Sequence, residues 1–245
     1  MSVVVITGST RGIGRGMAQA FAGAGHRVVI SGRNPQEVAQ AVAALPGSSG
    51  LACDVADPAQ VQALWDHACA QFGQVDIWIN NAGLAITHKW TRELSPDELR
   101  AMTEANLFGG INGTRVALAG MERQGSGWIY TVLGGGSDGR QRDRFGGYGM
   151  TKIALRYFTD AMIRETREGP VRLGTILPGI LLSGPLLASW LLTTNPPADV
   201  NSATWPSIST SGAPFGLLGA YVRLVLSTTP TRRHGGVSSG PLRLR

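Results

Sequence analysis

Short β-rich runs alternate with helical windows along most of this chain, and that alternation leaves few architectures open. The runs are Val3–Ile6, Arg27–Ser31, Gly50–Cys53, Val75–Asn80, Gly127–Leu133 and Val171–Leu177. Between them lie helical windows at Gly12–Ala24, Pro35–Leu45, Pro58–Phe72, Pro96–Arg123 (expected to be broken) and Tyr148–Glu168. Strands that are apolar along their whole length need cover on both faces, so the pattern predicts a parallel sheet between two helical layers. Right-handed crossovers then wind the chain doubly and place a ligand crevice at the carboxyl ends of the strands.

Composition agrees with one α/β domain over residues 1–245. Hydrophobic residues make up 43% and charged residues 16%, enough apolar material for a core and too much for a disordered chain. The net charge of +6 comes from scattered residues, with no basic helix face interleaved with aromatics. That suits an enzyme holding an anionic cofactor better than a nucleic-acid binder, so no nucleic-acid partner is expected. Cys53 and Cys69 are the only cysteines, and the four histidines stand apart. No disulfide framework or metal site is legible, which fits a cytoplasmic location. The N-terminus enters a strand directly, so no signal peptide is expected.

The stretch between Arg172 and Asp199 carries no charge and is long enough to span a bilayer. Gly174, Pro178, Gly179, Gly184 and Pro185 interrupt it. The reading is therefore a buried strand followed by an apolar segment, with residues 181–215 covering the substrate and no membrane span. From about residue 193 the pattern becomes irregular, and Gly216–Leu226 reads as one more apolar helix.

Thr7-Gly8-Ser9-Thr10-Arg11-Gly12-Ile13-Gly14 follows the first strand and opens the first helix. Its glycines allow a tight turn and close backbone approach to a pyrophosphate, which the helix N-terminus would attract. A glycine-rich loop alone is a weak signal. Its strand–loop–helix context strengthens it. The second strand ends Ser31-Gly32-Arg33-Asn34, with no carboxylate to hold ribose hydroxyls. Arg33 and Arg11 could reach a 2′-phosphate instead, so NADP(H) is expected, with NAD(H) as the second choice.

Tyr148 and Lys152 stand four residues apart at the start of a helix, hence on one face. A nearby ammonium favours phenolate, so Lys152 could help Tyr148 give or take a proton at neutral pH. Taken alone this spacing is common on helix surfaces.

The wide Gly-x-x-x-Gly-x-Gly loop and the Tyr-Gly-Met-Thr-Lys segment resemble the short-chain dehydrogenase/reductase family, over roughly residues 3–185. That resemblance implies a Rossmann-type fold and further site residues. Asp54 and Val55 would contact adenine. Asn80-Asn81-Ala82-Gly83 would support the sheet edge and contact the adenosine side, with Asn80, Ala82 and Gly83 assigned to the cofactor. Asn106 matches the family's catalytic asparagine, which holds a water linking the lysine to solvent. Pro178-Gly179-Ile180 would meet the nicotinamide amide through backbone groups.

The family's catalytic serine usually lies about thirteen residues before the tyrosine, where it steadies charge on the substrate oxygen. Here that slot is glycine, within Leu133-Gly134-Gly135-Gly136-Ser137, and Ser137 stands eleven residues before Tyr148. This loop is similar to the chlorophyll b reductase-like branch. Ser137 is assigned the serine role, against the alternative of a plain loop serine.

The expected activity is hydride transfer between NADP(H) and the carbonyl or secondary alcohol of an apolar small molecule. The alternative is a non-catalytic NADP(H)-binding regulatory or partner protein. The family resemblance also implies a homodimer or homotetramer. Arg140, Arg142 and Arg144 read as a solvated loop, or as a patch that meets an acidic substrate.

Overall fold

The computed structural model describes residues 1–178 and 223–225. Seven strands form one sheet in the order β3-β2-β1-β4-β5-β6-β7. They are β1 (Val3–Ile6), β2 (Arg27–Gly32), β3 (Ser49–Ala52), β4 (Ile77–Asn80), β5 (Gly127–Val132), β6 (Val171–Leu177) and β7 (Arg223–Val225). The first six are mutually parallel, and β7 pairs antiparallel with Thr175–Leu177. This antiparallel edge strand adds to the expected parallel sheet. It falls within Gly216–Leu226, expected as a further apolar helix. Residues 223–225 instead form a strand, whose backbone pairs with the open edge of β6.

The order reverses between β1 and β4, so the crevice of a doubly wound sheet opens there. Along β1, Val4 and Ile6 point to one core, and Val5 points to the other. All three are fully buried, as the period-two alternation of a strand covered on both sides requires. Met17 and Phe21 of helix α1 (Gly12–Gly23) fill the first core. Trp65 of α3 (Pro58–Phe72), Met121 of α5 (Gly109–Gln124) and Trp78 fill the second. Side chains at Gly113 and Gly120 would run into Trp78 and Trp65, so these glycines let α5 lie close against the sheet and α3.

Helix starts follow local chemistry. Asn34, Asp57 and Ser95 accept hydrogen bonds from the first amides of α2 (Pro35–Ala43), α3 and α4 (Pro96–Thr103), each of which carries proline in its first turn. The expected break in the fourth helical window is a π-turn at Glu104–Phe108, between α4 and α5. Helix α6 (Gly146–Glu165) begins two residues earlier than expected and ends three earlier. The expected strand at Val75–Asn80 starts at Ile77. Asp76 instead ties strand ends together, its carboxylate accepting from the Val3 amide at 2.7 Å and its carbonyl from the Trp128 amide at 2.9 Å.

Candidate active site

The end of β1 and the end of β4 are stitched together before any ligand arrives. Thr7 Oγ1 accepts from the amides of Asn81 and Ala82 at 2.9 and 3.0 Å. The Asn81 carboxamide donates to the carbonyls of Thr7 and Gly8 at 2.8 and 3.1 Å. Thr7 and Asn81 were not among the expected cofactor residues, yet they set the shape of the loop. Neighbouring Asn80 turns inward, accepting from Trp78 Nε1 and donating to Thr114 Oγ1. Its side chain braces β4 against α5.

The Gly8–Gly14 loop is built to admit an anion. Gly8 and Gly12 have φ of +63° and +57°, a left-handed conformation that L side chains resist. A Cβ on Gly14 would lie 2.5 Å from the Gly8 carbonyl oxygen. Arg11, at the N-cap of α1, makes no side-chain cap, and the first turn holds no acidic residue. The amides there are left to a ligand, at the positive end of the helix. Ser9 serves the loop itself: its hydroxyl donates to the Ile6 carbonyl at 2.6 Å and accepts from the Ser31 amide at 3.0 Å. Arg11 and Arg33 are both exposed. Asp54 caps the Ala56 amide, and the Val55 side chain is buried against Gly109. These glycines, free amides and cations fit the pyrophosphate of a nicotinamide dinucleotide.

At the other end of the crevice, α6 sets Tyr148 and Lys152 one turn apart. Lys152 is buried to 4% exposure and its Nζ donates to the Val132 carbonyl at 3.0 Å. It lies 5.8 Å from the centre of the Tyr148 ring. Burial pulls the ammonium down to about 8 and pushes the Tyr148 phenol above its ordinary value. Burial thus opposes the lowering expected from Lys152.

Asn106 lies in the π-turn, buried. Its carboxamide accepts from the Leu84 amide at 2.6 Å, donates to the Leu84 carbonyl at 2.8 Å and donates to Thr151 Oγ1 at 2.9 Å. Thr151 in turn donates to the Tyr148 carbonyl at 2.7 Å. A Cβ on Gly83 would stand 3.1 Å from Asn106 Oδ1 and 3.8 Å from Lys152 Nζ. Gly83, Asn106, Thr151 and Lys152 therefore meet at one place, with Thr151 a link that sequence reasoning passed over.

Ser137 and Tyr148 line one cavity of about 410 Å³, together with Gly134, Phe145, Leu177 and Pro178. Ser137 is 4% exposed, and its Oγ is the one buried side-chain polar atom without a partner among the described residues. A buried hydroxyl left unpaired is costly and calls for a ligand. Gly134 lies so close to the Tyr148 hydroxyl that any side chain would displace it. Of the expected cofactor residues, Gly179 and Ile180 lie outside the described residues, as does segment 181–215.

A doubly wound sheet with a glycine-rich loop at one end of its crevice, and a tyrosine–lysine pair at the other, is the framework of a dinucleotide-binding fold with a proton-transfer pair beside the site. A family model described as short chain dehydrogenase matches residues 2–190, and the chain belongs to the short-chain dehydrogenase/reductase family. It is 36% identical over 210 residues to a probable chlorophyll(ide) b reductase, NYC1, of Oryza sativa chloroplasts, covering 76% of this chain and 41% of that protein. It is 28% identical over 184 residues to the 3-oxoacyl-[acyl-carrier-protein] reductase FabG of Escherichia coli, covering 73% of each. The chain thus spans less than half the length of the NYC1 relative. Among solved structures it is similar to an alcohol dehydrogenase of Thermococcus sibiricus complexed with 5-hydroxy-NADP. That match has a TM-score of 0.66 and 28% identity, over 76% of this chain and 80% of that one. A Burkholderia phymatum family member in complex with NAD gives 0.67 and 28%, over 71% of this chain and 64% of that one.

Proposed function

We propose that this chain is an NADP(H)-dependent reductase or dehydrogenase of an apolar carbonyl compound or its secondary alcohol. The observation that carries the reading is the cavity lined by Tyr148 and the unpartnered Ser137, with the buried Lys152 ammonium 5.8 Å from the centre of the Tyr148 ring. A bound nicotinamide supplies or accepts the hydride. The chain's own residues handle the proton and the oxygen. Tyr148 donates its phenolic proton to the substrate oxygen as that oxygen gains charge, or removes it in the reverse direction. Ser137 donates a hydrogen bond to the same oxygen and steadies the charge. Lys152 holds a positive charge near the phenol, and Asn106 with Thr151 holds the turn of α6 that carries Tyr148.

The preference for NADP(H) rests on Arg33 and Arg11, exposed where β2 and the phosphate loop end, and on the lack of a carboxylate at the end of β2. The apolar character of the substrate rests on Phe145, Leu177 and Pro178 in the cavity wall. A homo-oligomer is part of the same reading, supported by Phe108 and Tyr157, 45% and 80% exposed on the helical surface. A cytoplasmic location rests on the two unpaired thiols, Cys53 and Cys69.

The experiment is a panel of ketones and aldehydes watched through NADPH absorbance. Turnover is expected with at least one, and Tyr148→Phe should abolish it while NADPH still binds. Tight NADPH binding with no turnover of any carbonyl or alcohol would overturn the enzyme reading.

A further inference from the structure

A second cavity, of about 550 Å³, adjoins the one above Tyr148 and shares Gly136, Arg142 and Phe145 with it. Four arginines line it: Arg92, Arg140, Arg142 and Arg144. Asp143 is its only lining carboxylate. Three of the guanidinium groups rest on aromatic rings. Arg92 and Arg144 lie 5.7 and 4.9 Å from the centre of Trp90, and Arg142 lies 6.0 Å from Phe145. Stacking of this kind fixes the plane of a guanidinium and leaves its N–H fork free to grip a planar anion.

Neutralisation from within the chain is sparse. Among the described residues, only Arg140 of the four lies within ion-pair distance of a carboxylate, that of Asp138 at 3.5 Å. Beyond Pro178 the sequence holds a single acidic side chain, Asp199. Met150 and Ile153 supply apolar wall to the same cavity. Arg144 is the only non-glycine described residue with positive φ, at 65°, a backbone state that other contacts must hold in place. Its ring contact with Trp90 is one such contact.

We propose that this second cavity is an anion subsite that takes a carboxylate carried by the substrate. The substrate is then an apolar carbonyl compound whose carbonyl sits over Tyr148 and whose carboxylate, on the far side of Phe145, is gripped by Arg92, Arg142 and Arg144. The proposal rests on the reading of the Tyr148 cavity as the site of carbonyl chemistry.

The test uses the whole chain with NADPH and straight-chain keto acids of increasing length, each paired with its methyl ester. The best acid should exceed its ester in kcat/KM by about tenfold or more, the effect of gaining charge-assisted hydrogen bonds. The preference should shrink with added KCl and fall toward one in an Arg92→Gln/Arg144→Gln variant. Its fold is checked by thermal melting and NADPH binding. If that variant does not fold, Arg142→Gln and the salt dependence of the parent give the same reading.

An ester preferred over or equal to the acid at every length overturns the proposal, as does an acid preference untouched by salt and by the arginine changes. If no carbonyl is reduced at all, the activity reading fails and the subsite is judged by calorimetry with unreactive alkyl carboxylates. Arginine-dependent binding sustains it, and no binding overturns it. A matched phosphonate that binds more tightly than the carboxylate overturns the choice of anion.

Discussion

Gly134 and the Tyr148 hydroxyl are in such close contact that a methyl group on the glycine would occupy the space of the phenolic oxygen. The end of β5 thus has to be bare for the tyrosine to reach the cavity. The hydroxyl that would otherwise stand nearby comes from Ser137, further along the same loop.

Gly134→Ala should therefore push Tyr148 out of place. A loss of about a hundredfold in kcat is expected, in line with the effect of small misplacements of a reacting group. NADPH affinity should hold, since the phosphate cradle lies at the opposite end of the crevice. Gly135→Ala gives the contrast, because its Cβ would meet Phe145 at an ordinary 3.4 Å. Steady-state kinetics on the two variants check the difference, and equal losses would contradict it.

Ser137→Ala should lower kcat by about a hundred- to a thousandfold, the range seen when one donor to a developing oxyanion is removed. The same change should leave the melting temperature level or raise it, because no protein partner of Ser137 Oγ is orphaned. A plain loop serine would give the opposite pair of results, with little kinetic effect.

Lys152 links stability to pH. Burial takes its ammonium from the usual 10.5 down to about 8. Between those values the unfolded chain binds more protons than the folded one, so this group's contribution to stability rises with pH there. Lys152→Met should gain on the parent most at pH 7, and the gap should close by roughly 3 kcal/mol toward pH 10.5. Burial moves Cys53 the other way, from 9.0 up to about 12, so its contribution falls above pH 9. That loss occurs in both proteins and cancels in the comparison. Denaturant midpoints across this pH range measure the gap. A gap independent of pH would mean that Lys152 is not held in a desolvated state.

Cofactor choice is open to the same treatment. Arg33→Gln and Arg11→Gln should each weaken NADPH binding by about tenfold, the value of one charge-assisted contact to a phosphate, while NADH binding changes by less than about twofold. Fluorescence titration with both cofactors decides it. Equal loss for both would mean that neither arginine meets the 2′-phosphate.

Asn81→Ala should weaken both cofactors alike, because it removes two hydrogen bonds that hold the Thr7 and Gly8 carbonyls. An affinity loss of about tenfold with no change in the NADPH to NADH ratio is expected. A shift in that ratio would show a direct role in selecting the cofactor.

Local sequence determined the elements that local rules govern. Val3–Ile6, Val171–Leu177 and Pro58–Phe72 stand where their apolar runs and caps place them. The order of motifs along the chain marked the crevice, Tyr148 and Lys152, because each motif is a contiguous stretch that ends a strand or opens a helix. The tertiary structure alone decided which residues meet across long separations. Thr7 is joined to Asn81, 74 residues away, and Asn106 to Thr151, 45 away. Asn80 turned inward and Asn81 took the loop, a choice made by which face of β4 packs on α5. The direction of the Tyr148 shift was likewise invisible in the sequence, where only the neighbouring lysine could be read. Burial is a property of the packed molecule, and desolvation by that packing raises the phenol.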